Sequence, residues 1–102
     1  MCRQLALPSF IGAAVAFAAS AASASSDDAW AEFRIEVETK CEQAAQGVLK
    51  NPEIVVDPFG TESYGVAVLF GPEVGGSDAE RMLVCVFDKK ARTAEVGSAL
   101  EF

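Results

Sequence analysis

Residues 81–88 read RMLVCVFD, and this apolar run around one cysteine determines how the rest of the chain is interpreted. Valine and phenylalanine favour strands, in which successive side chains point to opposite faces of the sheet. If Cys85 is bonded to a covering helix, Leu83 and Phe87 face that helix as well. The opposite face of the strand then carries Met82, Val84 and Val86.

A long helix is predicted upstream, from residue 28 to about residue 49. Apolar residues recur there three or four positions apart, which defines one helical face. Its members are Trp30, Phe33, Val37, Cys41, Ala44 and Val48. Ile35 does not fit this stripe, and Asn51-Pro52 is expected to end the helix because proline disfavours helical geometry in the residue before it.

Cys41 and Cys85 are separated by 44 positions and are predicted to form a structural disulfide. A zinc site usually needs four cysteine or histidine ligands, and the chain contains no histidine. A catalytic thiol would lack the histidine that normally activates it. Closing such a loop stabilises a fold by roughly 4 kcal/mol in the chain-entropy model.

Three further strands are expected at residues 53–57, 63–70 and 92–96, with a glycine-rich and acidic loop at 71–80. Short connections between consecutive strands favour an antiparallel meander. The predicted fold class is therefore α+β, with one long N-terminal helix packed on a three- to four-stranded antiparallel sheet. Residues 25–102 are expected to form this single small domain.

Residues 1–24 are predicted to be a cleaved signal peptide. A single charge, Arg3, precedes an apolar stretch, and Ala22-Ser23-Ala24 matches the small residues that signal peptidase accepts. An uncleaved transmembrane anchor is the alternative, but alanine and serine give this stretch a weak insertion energy. Cleavage would place the mature protein in the periplasm or outside the cell, with no membrane attachment.

Charge limits the classes of partner. The chain has a net charge of −7, and loss of Arg3 with the leader would leave seven basic and fifteen acidic residues. An acidic surface repels phosphate backbones, so nucleic acid is not expected as a partner. A basic partner, or simple solubility, fits this charge better.

The strand at 63–70 alternates like the strand at 81–88. Gly65, Ala67 and Leu69 are assigned to the helix side because small residues let a helix approach closely. The far face would then present a predicted interface of Tyr64, Val66, Val68, Phe70, Val84 and Val86. An apolar face of this size often marks a binding surface, so a protein partner or a homodimer is expected there. Cover by the 71–80 loop or by the residues after Val96 is the alternative.

No catalytic, cofactor-binding or metal-ligating residue is predicted. The absence of histidine removes the commonest general base, which favours a non-enzymatic binding module. The alternative is a small enzyme inhibitor or a hydrolase that uses carboxylates near Tyr64. The basic residues at 89, 90 and 92 are expected to form a solvated turn.

The chain contains three short runs, Tyr64-Gly65-Val66-Ala67-Val68, Val84-Cys85-Val86-Phe87-Asp88-Lys89 and Ala94-Glu95-Val96-Gly97. These runs resemble a set of small exported bacterial proteins that have a cysteine on a helix and a strand that ends in Cys-Val-aromatic-Asp-Lys. The resemblance implies export, and it implies no activity because these proteins are uncharacterised.

Overall fold

In the computed structural model, the backbone is described from Leu7 and the side chains from Ser26, in both cases to Phe102. The predicted signal peptide lies outside the fully described residues and stays a prediction. The chain divides into two compact units, Met1–Ala31 and Glu32–Phe102. Helix α1 spans Leu7–Ala45. Within the described part of the chain, no helix combines the length and apolar character needed to cross a membrane.

The last turns of α1 bury one stripe of side chains in the second unit. Val37, Cys41 and Ala45 follow one another at intervals of four residues, and each is fully buried. Residues four apart lie on the same face of a helix. Ala44, which was predicted in this stripe, is only half-buried, whereas Ile35 is 64% exposed, as its position off the stripe predicted. In the first unit, Trp30 is 40% exposed, so its predicted burial is wrong.

The helix ends at Ala45, about four residues earlier than predicted. Gly47 has a φ of 86°, in the left-handed region where glycine commonly terminates a helix. Leu49 follows this turn and is almost fully buried, with its N–H donating to the Ala45 carbonyl at 3.2 Å. The glycine therefore ends the helix before Asn51-Pro52 is reached.

Four strands follow α1. They are β1 (Glu53–Val56), β2 (Tyr64–Pro72), β3 (Glu80–Asp88) and β4 (Thr93–Val96). They form one antiparallel sheet in the order β1-β2-β3-β4, so the predicted α+β meander is confirmed.

The loop between β2 and β3 is shorter than predicted and covers residues 73–79. Its base is fixed to the segment that follows α1, because Lys50 N–H donates to the Pro72 carbonyl at 2.8 Å and Val74 N–H donates to the Val48 carbonyl at 2.9 Å. β2 itself continues beyond the predicted end at Phe70, because Gly71 and Pro72 pair with Arg81 and Glu80 of β3.

The disulfide between Cys41 and Cys85 is confirmed, with 5.9 Å between the two Cα atoms. It joins α1 to β3, and β2 contributes small residues to the same side of the sheet. A Cβ atom on Gly65 would lie 2.7 Å from Cγ2 of Val37, so the glycine permits the close approach of the helix. The buried apolar side chains of the sheet are Ala67, Leu69, Leu83, Cys85 and Phe87, in agreement with the predicted strand phase.

Candidate interaction surface

The side of the sheet that faces away from α1 carries a continuous set of apolar side chains, which we call the open face. It consists of Val55, Tyr64, Val66, Val68, Phe70, Met82, Val84 and Val86. All six residues of the sequence-predicted interface belong to it. Alternation along β2 and β3 positions them, because every second residue of these strands is buried against the helix side.

Register brings the valines of the open face together at its centre. Val66 lies directly opposite Val86, and Val68 lies opposite Val84. Val55 on β1 continues the second of these rows because it pairs with Val68. Directly opposed β-branched side chains on one face contact each other and form the packing unit of a sheet. The centre of the open face is therefore a small apolar platform.

Several side chains of the open face remain accessible. Val55 is 62% exposed, Tyr64 is 45% exposed and Val84 is 37% exposed. Val66 and Val68 are half-buried. A shallow hollow lies beside the platform, lined by Val84, Val86, Glu95, Val96 and Gly97.

The end of the open face near Phe70 is partly covered by the C-terminal residues. Leu100 and Met82 exchange two backbone hydrogen bonds of 2.7 and 2.8 Å. The ring of Phe102 then meets the ring of Phe70 edge to face, with 5.6 Å between the centroids. Phe102 itself is 74% exposed, so it covers Phe70 only in part. The alternative prediction was that residues after Val96 cover the open face. They do so only at the end near Phe70, and the valines at the centre stay accessible.

The charged side chains that the strands direct toward the open face are all acidic. They are Glu53, Glu80, Asp88 and Glu95. Glu53 is opposite Phe70 on the β1 side, and Glu95 is opposite Val86 on the β4 side. This acidic border was not among the features predicted from the sequence, although it follows from strand alternation in β1 and β4.

The basic turn between β3 and β4 was expected to be solvated. Two of its side chains, Lys89 and Arg92, instead contact other parts of the fold. Lys89 Nζ donates to the carbonyls of Thr61 at 2.6 Å and Phe59 at 3.1 Å, and it lies 5.0 Å from the centroid of the Phe33 ring. Arg92 forms an ion pair with Glu36 of α1. These contacts join the β3–β4 turn to the β1–β2 loop and to the helix, so the turn has a structural role.

Two carboxylates at this end of the sheet hold tight turns. Asp57 Oδ1 accepts hydrogen bonds from the N–H groups of Gly60 and Phe59, which lower the pKa of Asp57. Asp88 Oδ1 likewise accepts from Ala91 and Lys90, and these bonds lower the pKa of Asp88.

A hollow beside Tyr64 is lined by Glu62, Ser63, Asp88, Lys89 and Lys90. The lowered pKa keeps Asp88 ionised, whereas a general acid needs a raised pKa to hold its proton near neutral pH. Asp88 therefore does not fit the role of general acid in a carboxylate-based hydrolase. Among the described residues, no group of three or more histidine, cysteine, aspartate or glutamate side chains is placed to hold a metal ion.

Comparison of the chain with protein-family models, curated proteins and solved structures found no match.

Proposed function

We propose that this protein is a small exported, disulfide-bonded binding module without catalytic activity, and that it docks a protein partner on the open face. The observation that carries the proposal is the row of Val55, Val68 and Val84, whose two outer members are each more than one-third exposed. Contiguous apolar surface of this kind is costly in water and commonly marks an interaction site.

Export is supported by two independent features. The disulfide between Cys41 and Cys85 is typical of proteins that mature in an oxidising compartment. The leader pattern of residues 1–24 is typical of a secretory signal. Mass spectrometry of the protein from the periplasmic or secreted fraction should show the loss of this leader and an intact disulfide. Recovery of the full chain with both thiols free would contradict export.

Docking on the open face is tested by site-specific photo-crosslinking in the cells that produce the protein. A photoreactive amino acid replaces Val84 on the open face or, as the matched control, Ile35 on the exposed side of α1. The expected result is a discrete cross-linked protein product from the Val84 position that the Ile35 position does not form. Identical product patterns from both positions would contradict docking on this face.

A further inference from the structure

Provided that the open face is the docking surface proposed above, we propose that its partner is a cationic amphipathic helix. Such a helix has an apolar face and carries lysine or arginine on both flanks. Two features support this kind of partner. They are the negative charges on both sides of the valine platform and the width of the sheet.

Acidic side chains border the platform on both sides. Glu53 lies on β1 and Glu95 on β4, and these are the two edge strands of the sheet. Both side chains are exposed. In the neighbouring turn, Lys89 binds loop carbonyls and Arg92 pairs with Glu36. Lys90 is exposed in the hollow beside Tyr64, away from the valine platform. A partner that covers the platform therefore meets negative charge at both of its flanks.

A second copy of this chain is a poor occupant for the same reason. Stacking two open faces would bring the acidic edges of one copy against the acidic edges of the other. Like charges brought together at an interface disfavour association, whereas opposite charges speed it and fix its register. Glu53 and Glu95 thus select against the homodimer and in favour of a basic partner.

The dimensions of the sheet fit one helix. Three strand spacings separate β1 from β4, about 14 Å, which exceeds the roughly 10 Å diameter of a helix by enough for side chains to reach both edges. Glu53 is level with Phe70 and Glu95 is level with Val66, through Val86. These two levels are four residues apart along β2, or about 13 Å.

A helix that runs along the strands reproduces this offset. Residues nine apart in a helix are separated by about 13.5 Å along its axis and lie on opposite sides of it. A lysine or arginine on one flank and a second one nine residues later on the other flank would therefore reach Glu53 and Glu95 together. The apolar face between them would rest on Val68 and Val84.

The test uses the complete disulfide-bonded protein and a labelled amphipathic peptide of about 18 residues, or five helical turns. The peptide has leucines on one face and lysines on both flanks, spaced nine apart. One reference peptide replaces every lysine with glutamate, and another keeps the lysines but replaces the leucines with glutamine. Fluorescence anisotropy gives the Kd of each peptide.

Two protein variants distinguish the effect of the acidic edges on binding from the effect of the net charge of the protein. The double variant Glu53→Lys with Glu95→Lys reverses the charge at both edges. Glu38→Lys with Glu42→Lys makes the same change in net charge on the exposed side of α1. The lysine–leucine peptide should bind more tightly than both references. Its Kd should rise about tenfold with the edge variant and by less than about twofold with the helix variant.

Two outcomes would overturn the cationic partner while leaving the docking role intact. In the first, the glutamate peptide binds as tightly as the lysine peptide, and Val84→Ser weakens both. In the second, the helix variant weakens binding as much as the edge variant does. If no peptide binds and the photo-crosslinker at Val84 also gives no product of its own, both proposals are wrong. Far-ultraviolet circular dichroism confirms that each variant keeps its fold.

Discussion

The two faces of the sheet are built from the same strands, yet only one of them is covered by a helix. On the covered face, Ala67, Leu69 and Cys85 are fully buried. On the open face, their neighbours Val68 and Val84 remain partly accessible. Both sets of side chains are apolar, so hydrophobicity alone does not determine which face the helix takes.

Side-chain size and the disulfide make the difference. The covered face has Gly65 and Ala67 where the open face has Val66 and Val68, and the small side chains let α1 approach. Cys85 then fixes β3 to Cys41 of the helix. In β2, where both faces are apolar, the helix covers the face whose small side chains let it approach more closely.

The largest expected effect comes from removing the bond that fixes the covered face. Replacing both Cys41 and Cys85 with alanine should lower the free energy of unfolding by about 4 kcal/mol, because the unfolded chain loses its closed loop of 44 positions. Urea unfolding followed by circular dichroism measures the loss. The wild-type protein under reducing conditions serves as the control and should lose a similar amount. Unchanged stability in both cases would show that helix packing alone orients the sheet.

Truncation of adjacent residues compares the two faces directly. Leu69→Ala, on the covered face, should cost about 3 kcal/mol because it leaves a cavity in a fully buried site. Val68→Ala is the matched change on the open face and should cost about 1 kcal/mol or less, since its side chain is only half-buried. Chemical unfolding of the two variants measures the difference. Equal losses would indicate that the open face is as tightly packed as the covered face.

The sequence predicted the arrangement of the two faces because period-two alternation and one disulfide are sufficient to set it. Once Cys85 is assigned to the helix, Leu83 and Phe87 must share its side, and both are fully buried. The helix end was harder to predict, because Gly47 permits a left-handed turn without requiring one. The predicted end of β2 was too early because glycine and proline at positions 71 and 72 indicate a loop, whereas both residues pair with β3.

The details of the candidate surface depend on contacts between residues far apart in the chain. Phe102 meets Phe70, and Lys89 binds the carbonyl of Thr61, 28 residues earlier. No periodic pattern in residues 97–102 or 59–63 signals these contacts. The acidic edge residues Glu53 and Glu95 could have been predicted, because their outward orientation follows from the alternation of β1 and β4.

A smaller effect is expected where the C-terminal residues cover the open face. Phe102→Ala should expose Phe70, and it should cost less than about 1 kcal/mol because Phe102 is itself 74% exposed. Fluorescence of a hydrophobic dye should rise as the open face becomes more accessible. Ile35→Ala is the control, since it removes an exposed side chain on the helix and should not raise dye binding. A rise that is equal in both variants would mean that the dye reports general loosening of the fold.

The smallest expected effect concerns Asp57, in the turn between β1 and β2 at one end of the sheet. Hydrogen bonds from Gly60 and Phe59 hold the pKa of Asp57 below its ordinary value of 3.8 in the folded protein. Because the folded pKa lies below the unfolded one, the ionised carboxylate stabilises the fold above the ordinary value. This contribution is lost as the pH falls through the folded value.

Asp57→Asn removes this titration and should flatten the loss of stability below about pH 4. Thermal unfolding midpoints, measured from neutral pH downward, give the comparison with the wild-type protein. The gap between the two proteins should be widest at neutral pH and should close in acid, whereas a gap that does not change with pH would assign the role of Asp57 to turn geometry alone.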